Sequence, residues 1–144
     1  MSGCLPKLII SAASLFIVVP VLVSLLRYRQ MNFAMKTMLC YVLLGWITQV
    51  YSSYLGSQKV NNLWLLHWYT PLEFACITWF FSTVLKGFIP KKVFFSLAIG
   101  FAVLSALNSI YLQNTETFNT YARSLEGILV IILCLTWCYR TLME

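Results

Sequence analysis

Residues 93–112 read VFFSLAIGFAVLSALNSIYL, twenty residues in a row without a formal charge. A helix rising ~1.5 Å per residue crosses ~30 Å of hydrocarbon in about 20 residues, so this stretch has the length and character of a membrane-spanning helix. Working outward in both directions, four more stretches of similar make-up appear: Leu8–Leu26, Ala34–Gly56, Leu63–Leu85 and Tyr121–Leu142. Membrane-spanning strands would show segments of ~10 residues with alternating polarity, and no such alternation occurs along this sequence. The expected fold class is therefore all-α: a polytopic transmembrane helix bundle of about five spanning helices, forming a single domain over residues 1–144.

Composition leads to the same class. Apolar residues make up 60% of the chain and charged ones 10%, with a mean hydropathy of +0.82. Soluble domains carry about 25% charged residues, so a water-facing surface cannot be assembled from this inventory. The connections between stretches are short, which leaves no room for a soluble catalytic or nucleic-acid-binding domain. Nucleic acid is accordingly not an expected partner; the lipid bilayer is. The first stretch resembles a signal peptide in having Lys7 before an apolar run. That run exceeds a usual h-region, no Ala-x-Ala site follows, and Arg27 and Arg29 come next, so it reads as a retained helix.

The net charge of +6 is a matter of topology. Arg27, Arg29 and Lys36 flank the first connection, and Lys86, Lys91 and Lys92 fill the third. The second has only Lys59 and the fourth only the acid Glu116. Basic connections stay cytoplasmic, which predicts an N-out/C-in orientation with Arg140 also inside. Tyr51, Tyr54, Trp64, Trp68, Tyr111 and Tyr121 then fall near outer ends, as aromatic rings do at headgroup level.

This placement gathers polar residues in the outer half of the bundle. Gln49, Ser52 and Ser53 end the second stretch, and Asn61, Asn62, His67, Thr70 and Glu73 lead into the third. Ser105, Asn108 and Ser109 end the fourth; Asn119, Arg123, Ser124 and Glu126 open the fifth. Glu73 is about ten residues into its helix, near mid-membrane, where a charge costs ~2.5–3.5 kcal/mol and is expected to face a partner inside the bundle. At 100° per residue Asn62, Tyr69, Glu73 and Cys76 share one face, and His67 points elsewhere. Arg123 and Glu126, three apart, can neutralise one another on one helix; alternatively Arg123 stands opposite Glu73 and leaves Glu126 facing a cavity. The candidate polar pocket is His67, Tyr69, Thr70, Glu73, Asn108, Arg123 and Glu126.

Other features read more plainly. Pro71 cannot donate to the carbonyl of His67, so a kink is expected in the third stretch. His67 is the single histidine and has no second ligand of matching type, so no metal is predicted, and no cofactor motif occurs. The five cysteines make no framework; Cys134 and Cys138 share a face without further ligands. Small residues at four-residue spacing (Ser96 with Gly100; Ala98, Ala102 and Ala106; Ser105 with Ser109) predict that the fourth stretch is the tightly packed central helix, or that it mediates a homo-oligomer.

The stretches Asn61–Phe74 (NNLWLLHWYTPLEF) and Tyr121–Leu142 (YARSLEGILVIILCLTWCYRTL) resemble segments of a family of uncharacterised bacterial multispan membrane proteins. The marks of that resemblance are the Asn pair, His67, Tyr69 and Glu73 in the first and Arg123 with Glu126 in the second. It implies location in a bacterial inner (cytoplasmic) membrane and supplies no activity. Members of that family run on past the equivalent of Leu142, which leaves open that this chain is a fragment or shortened member.

Three functions fit these features. The favoured one is a small-molecule or ion binding or transport protein with an outward-facing polar pocket, its ligand unknown, because buried ionisable groups in spans mark functional sites. The second is a membrane-embedded enzyme acting on lipids, with Glu73 and Glu126 as acid and base and His67 as proton carrier. The third is a sensor or assembly subunit whose polar residues only fix helix register.

Overall fold

A computed structural model describes residues 18–143. The expected first span lies partly outside them; residues 18–26 of it are helical. Four long helices follow: α1 (Phe33–Ser57), α2 (Trp64–Val84), α3 (Lys91–Leu107) and α4 (Thr120–Met143). Among the described residues there is no strand. Each helix matches one of the apolar stretches to within two residues at its start. Asn32 caps α1 by accepting from Met35 N–H at 2.9 Å, which satisfies one of the orphan donors of the first turn.

Cross-helix pairs give the packing order. From one end of α1 to the other, Ser52 meets Asn62, Tyr41 meets Glu73 and Phe33 meets Trp79, so α1 and α2 are antiparallel. On α3, Phe101 stacks on Phe74 and Phe94 packs with Phe81 and Leu85, which makes α3 antiparallel to α2 as well. Asn119, just before α4, meets Thr70, and on α4 Arg123 meets Glu73 and Arg140 reaches the Val84 carbonyl, so α4 runs parallel to α2. The four helices alternate in direction. The starts of α2 and α4 and the ends of α1 and α3 therefore share one end of the molecule, and the polar residues concentrate there.

The central helix is α2, not α3 as its small-residue spacing predicted. α2 packs against α1, α3 and α4, and it holds more buried residues than any of them: His67, Thr70, Glu73, Phe74, Thr78 and Phe81. Ser96, Gly100, Ala102 and Ala106 on α3 are exposed instead, and a Cβ built on Gly100 would meet nothing within 4 Å. The contact α2 needs is with α1, where the small residue is Gly45: a Cβ there would come within 3.3 Å of the Tyr69 hydroxyl. The helix runs unbroken through Pro71.

Among the described residues three helices are long and apolar enough to cross a membrane: Phe33–Ser57, Lys91–Leu112 and Thr120–Met143. α2 is 21 residues long but diluted by His67, Thr70, Glu73 and Thr78, all of which are buried. Its polar groups are thus turned toward sister helices, while Ile99, Ile110, Ile131 and Leu135 of α3 and α4 lie open on the outside. An exterior so rich in exposed large hydrophobics is suited to lipid and would be an aggregation liability in water.

α3 ends in a π-helical turn, Asn108–Leu112, closed by Gln113 N–H donating to the Asn108 carbonyl at 2.8 Å. A π turn is wider than an α turn and redirects side chains. Here Asn108 and Ser109 reach partners on α2 and on the 113–119 connection, and they form one wall of the polar end.

Candidate functional site

Glu73, on the middle of α2, is 6% exposed. Its Oε1 accepts the hydroxyl of Tyr41 from α1 at 3.1 Å. Its Oε2 is ion-paired with Nη1 of Arg123 from α4. The same Nη1 donates to Glu126 Oε2 at 3.1 Å, one turn along α4. Arg123 therefore serves its own helix and the facing one at once, and Glu126 is paired with it rather than left facing the cleft. Tyr69, one turn before Glu73 on α2, lies beneath the guanidinium, with its ring centroid 5.7 Å from Arg123 Cζ. That is cation–π distance.

The electrostatics of this triad are unbalanced. Two carboxylates converge on one guanidinium, so the fully ionised cluster carries one excess negative charge. Removing such a charge from water costs several kcal/mol unless it is paired. Glu126 is 4% exposed, and its Oε1 is buried without a hydrogen-bond partner. Arg123 differs from both acids in that 52% of its side chain is exposed. Among the described residues only its Nη1 is engaged, although a guanidinium offers five donors.

A second polar set lies toward the end of the bundle. Asn108 Nδ2 donates to Asn119 Oδ1 at 3.0 Å, Asn119 Nδ2 to Thr70 Oγ1 at 3.3 Å, and Thr70 Oγ1 to the Leu66 carbonyl at 2.8 Å. This relay ties α3, the start of α4 and α2 together. His67 is bound separately, with Nδ1 2.7 Å from Ser109 Oγ and Nε2 3.1 Å from the Thr117 carbonyl. It faces away from Glu73, as its angular position on the helix predicts.

Between α2 and the start of α4 lies a cleft of about 380 Å³ lined by Leu66, Thr70, Phe118, Asn119, Thr120, Arg123 and Ser124. Of the seven expected pocket residues, the structure joins Glu73, Arg123 and Glu126 in the triad, with the Tyr69 ring against its guanidinium. Thr70 and Arg123 alone line the cleft. Asn108 enters through the relay, and His67 belongs to the 113–119 connection rather than to the triad.

Sequence reasoning missed Tyr41 and Asn119 as members of the site. Tyr41 carried a usable signal: it falls mid-span, away from the ends where interfacial tyrosines collect. Asn119 stood among the polar residues gathered at the outer end, but its role depends on the π turn bringing Asn108 across. The small face Ser105–Ser109 had a polar use too, because Ser109 bonds both His67 and the Ser105 carbonyl. No protein-family model, curated protein or solved structure matches the chain, so the geometry of this site carries the functional reading.

Proposed function

We propose that the chain is a multi-pass integral membrane protein of about five spans, oriented N-out/C-in. In this reading it binds a small molecule or ion at its outward-facing end as part of a transport or uptake function. The alternating directions of α1 to α4 support α2 as a span alongside its more apolar neighbours, and the helical residues 18–26 support a further one before them. The bacterial cytoplasmic membrane as its location rests on the resemblance described above.

The observation that carries the function is the Glu73–Arg123–Glu126 triad beneath a cleft, with one carboxylate oxygen unpartnered and most guanidinium donors unused. A triad serving only to fix helix register has no need of a second carboxylate. Buried ionisable groups at this depth mark ligand or ion pathways by default.

A thermal-shift screen of the detergent-purified protein against small anions, cations and amphiphiles tests this reading. A compound at about 100 times its Kd stabilises the wild type by about 2.7 kcal/mol. The expected result is at least one such compound whose effect is lost in Glu73→Gln. A stabilising compound that acts equally on the variant would count against the triad as the site.

An assembly role is the second reading, favoured by the exposed small-residue face of α3. Small residues let helices of two copies approach closely. A dimer that dissociates in Gly100→Leu would support it, and a monomeric wild type would remove it.

A further inference from the structure

The geometry points to a ligand class for the cleft: an amphiphile whose oxyanion head, a phosphate or a carboxylate, is held by Arg123 while its apolar tail lies along Leu66 and Phe118. This rests on the reading of the triad as a binding site and names what that site takes.

Three observations converge. First, Arg123 lines the cleft, and its Nε and Nη2 have no protein acceptor among the described residues. A guanidinium fork left open on one side matches two oxygens of a phosphate or carboxylate. Second, the remaining polar lining divides into committed and free groups. Thr70 and Asn119 are used in the relay, whereas the Ser124 hydroxyl, one residue from Arg123, is exposed and bonds to no other side chain or carbonyl among the described residues. It is a natural second donor to an oxyanion. Third, the cleft is larger than a bare phosphate needs. At about 380 Å³ it lies in the size range of small-molecule sites, and Leu66 and Phe118 would be left against water by a purely polar occupant.

Depth selects an amphiphile over a soluble anion. Arg123 is three residues past the start of α4, about 4.5 Å along the axis. If α4 spans the bilayer, the Arg123 backbone enters at headgroup level and its guanidinium reaches inward to Glu73, so an occupant held by it has hydrocarbon beside it. The start of α4 also presents the positive end of its dipole.

Charge adds a condition. The triad is already one negative charge in excess, so an arriving anion needs a compensating proton. The groups that face Glu126 are Arg123 on its own helix, Glu73 on α2 and Tyr41 on α1, while α3 contributes no titratable side chain between Val93 and Ile110. Of the four carboxylate oxygens in the triad, only Glu126 Oε1 lacks a partner among the described residues. A proton held there lets anion and proton enter together without a change in net charge.

The test uses protein purified in a neutral maltoside detergent, with dodecanoyl lysophosphatidylglycerol as the amphiphilic probe and inorganic phosphate as the soluble one. Binding is read by thermal shift on wild type, Arg123→Lys and Ser124→Phe. The lysine keeps a cation for Glu73 but loses the fork; the phenylalanine fills the cleft from an exposed position without touching the triad. The amphiphile is expected to bind wild type and to weaken at least about tenfold in both variants, the loss of one charge-assisted bond or more. Its affinity is expected to rise as pH falls, by up to about tenfold per pH unit for one proton taken up; the probe's phosphodiester keeps a constant charge. Equal binding by both variants would overturn the cleft assignment. If Glu73→Gln still abolished that binding, the triad would remain a binding site with its ligand elsewhere. Inorganic phosphate binding as tightly as the amphiphile would overturn the amphiphile, and pH-independent binding would overturn the proton on Glu126.

Discussion

Tyr41 on α1 donates its hydroxyl to Oε1 of Glu73 on α2, at 3.1 Å and in the middle of both helices. It is the one side-chain hydrogen bond that links α1 to the triad among the described residues. Interhelical hydrogen bonds in membranes contribute on average ~0.6 and at most ~1.7 kcal/mol. Tyr41→Phe keeps the ring and its packing, so it is expected to lower stability by about that amount, seen as a small fall in unfolding temperature in detergent. A change larger than that of Glu73→Gln would mean the hydroxyl has a partner more important than Glu73.

The triad makes an asymmetric prediction for its three members. Glu126→Gln removes the excess charge and leaves the Glu73–Arg123 pair intact, so stability is expected to stay level or rise. Arg123→Met leaves two carboxylates facing each other without a cation and is expected to destabilise most. A fully buried pair broken in this way costs ~3–5 kcal/mol; because Arg123 is half exposed, roughly 1–3 kcal/mol is the expected range. Denaturation curves of the two variants beside wild type decide it. A destabilised Glu126→Gln would show that this carboxylate is needed by the fold rather than kept in spite of it.

Much of this was legible in the sequence. Helix ends could be read because apolar runs stop at charges and at Pro90, and the face Asn62, Tyr69, Glu73, Cys76 could be read from angular spacing alone. That face does pack as a unit on α1, through Ser52, Gly45, Tyr41 and Cys40. Which helix is central could not be read. Small residues reveal where close approach is possible, and on α3 that possibility faces outward. The decisive feature was instead the number of polar residues that α2 must hide from lipid. Partners of Arg123 were beyond the sequence for a related reason: intrahelical spacing is fixed by the helix, while contact with Glu73 depends on how α4 is rotated against α2.

Cys40, next to Tyr41 on α1, and Cys76, one turn from Glu73 on α2, are neighbours. Mild oxidation of the detergent-solubilised protein is therefore expected to join them, protecting both from maleimide. Cys134 and Cys138 are exposed on α4 and should stay reactive. Loss of protection in Cys40→Ser or Cys76→Ser completes the test. Unrestricted labelling of Cys40 and Cys76 after oxidation would place α1 in a different register on α2.

The proposed orientation predicts opposite behaviour for two insertions. A reporter active only outside the cytoplasm should be silent after Glu144 and active in the connection around Lys59, where the chain turns with positive φ between α1 and α2. The reverse pattern would invert the molecule and place the cleft on the cytoplasmic face. Equal activity at both positions would contradict an odd number of crossings between them.

His67 makes the last prediction through the two bonds its ring holds. A carbonyl only accepts, so Nε2 must carry the proton that reaches Thr117 at 3.1 Å. The Ser109 hydroxyl has a single proton and two neighbours that can take it, the Ser105 carbonyl at 3.0 Å and His67 Nδ1 at 2.7 Å. With a neutral ring it must turn to His67 and abandon Ser105. With a doubly protonated ring, Nδ1 donates to Ser109 and the serine is free for its carbonyl. Either way the ring pins the 113–119 connection to α2. His67→Phe fills the same space without either bond and is expected to speed backbone hydrogen exchange in residues 113–119 while leaving α1 and the Tyr41–Glu73 bond undisturbed. Unchanged exchange in that connection would mean that the Asn108–Asn119–Thr70 relay holds it alone.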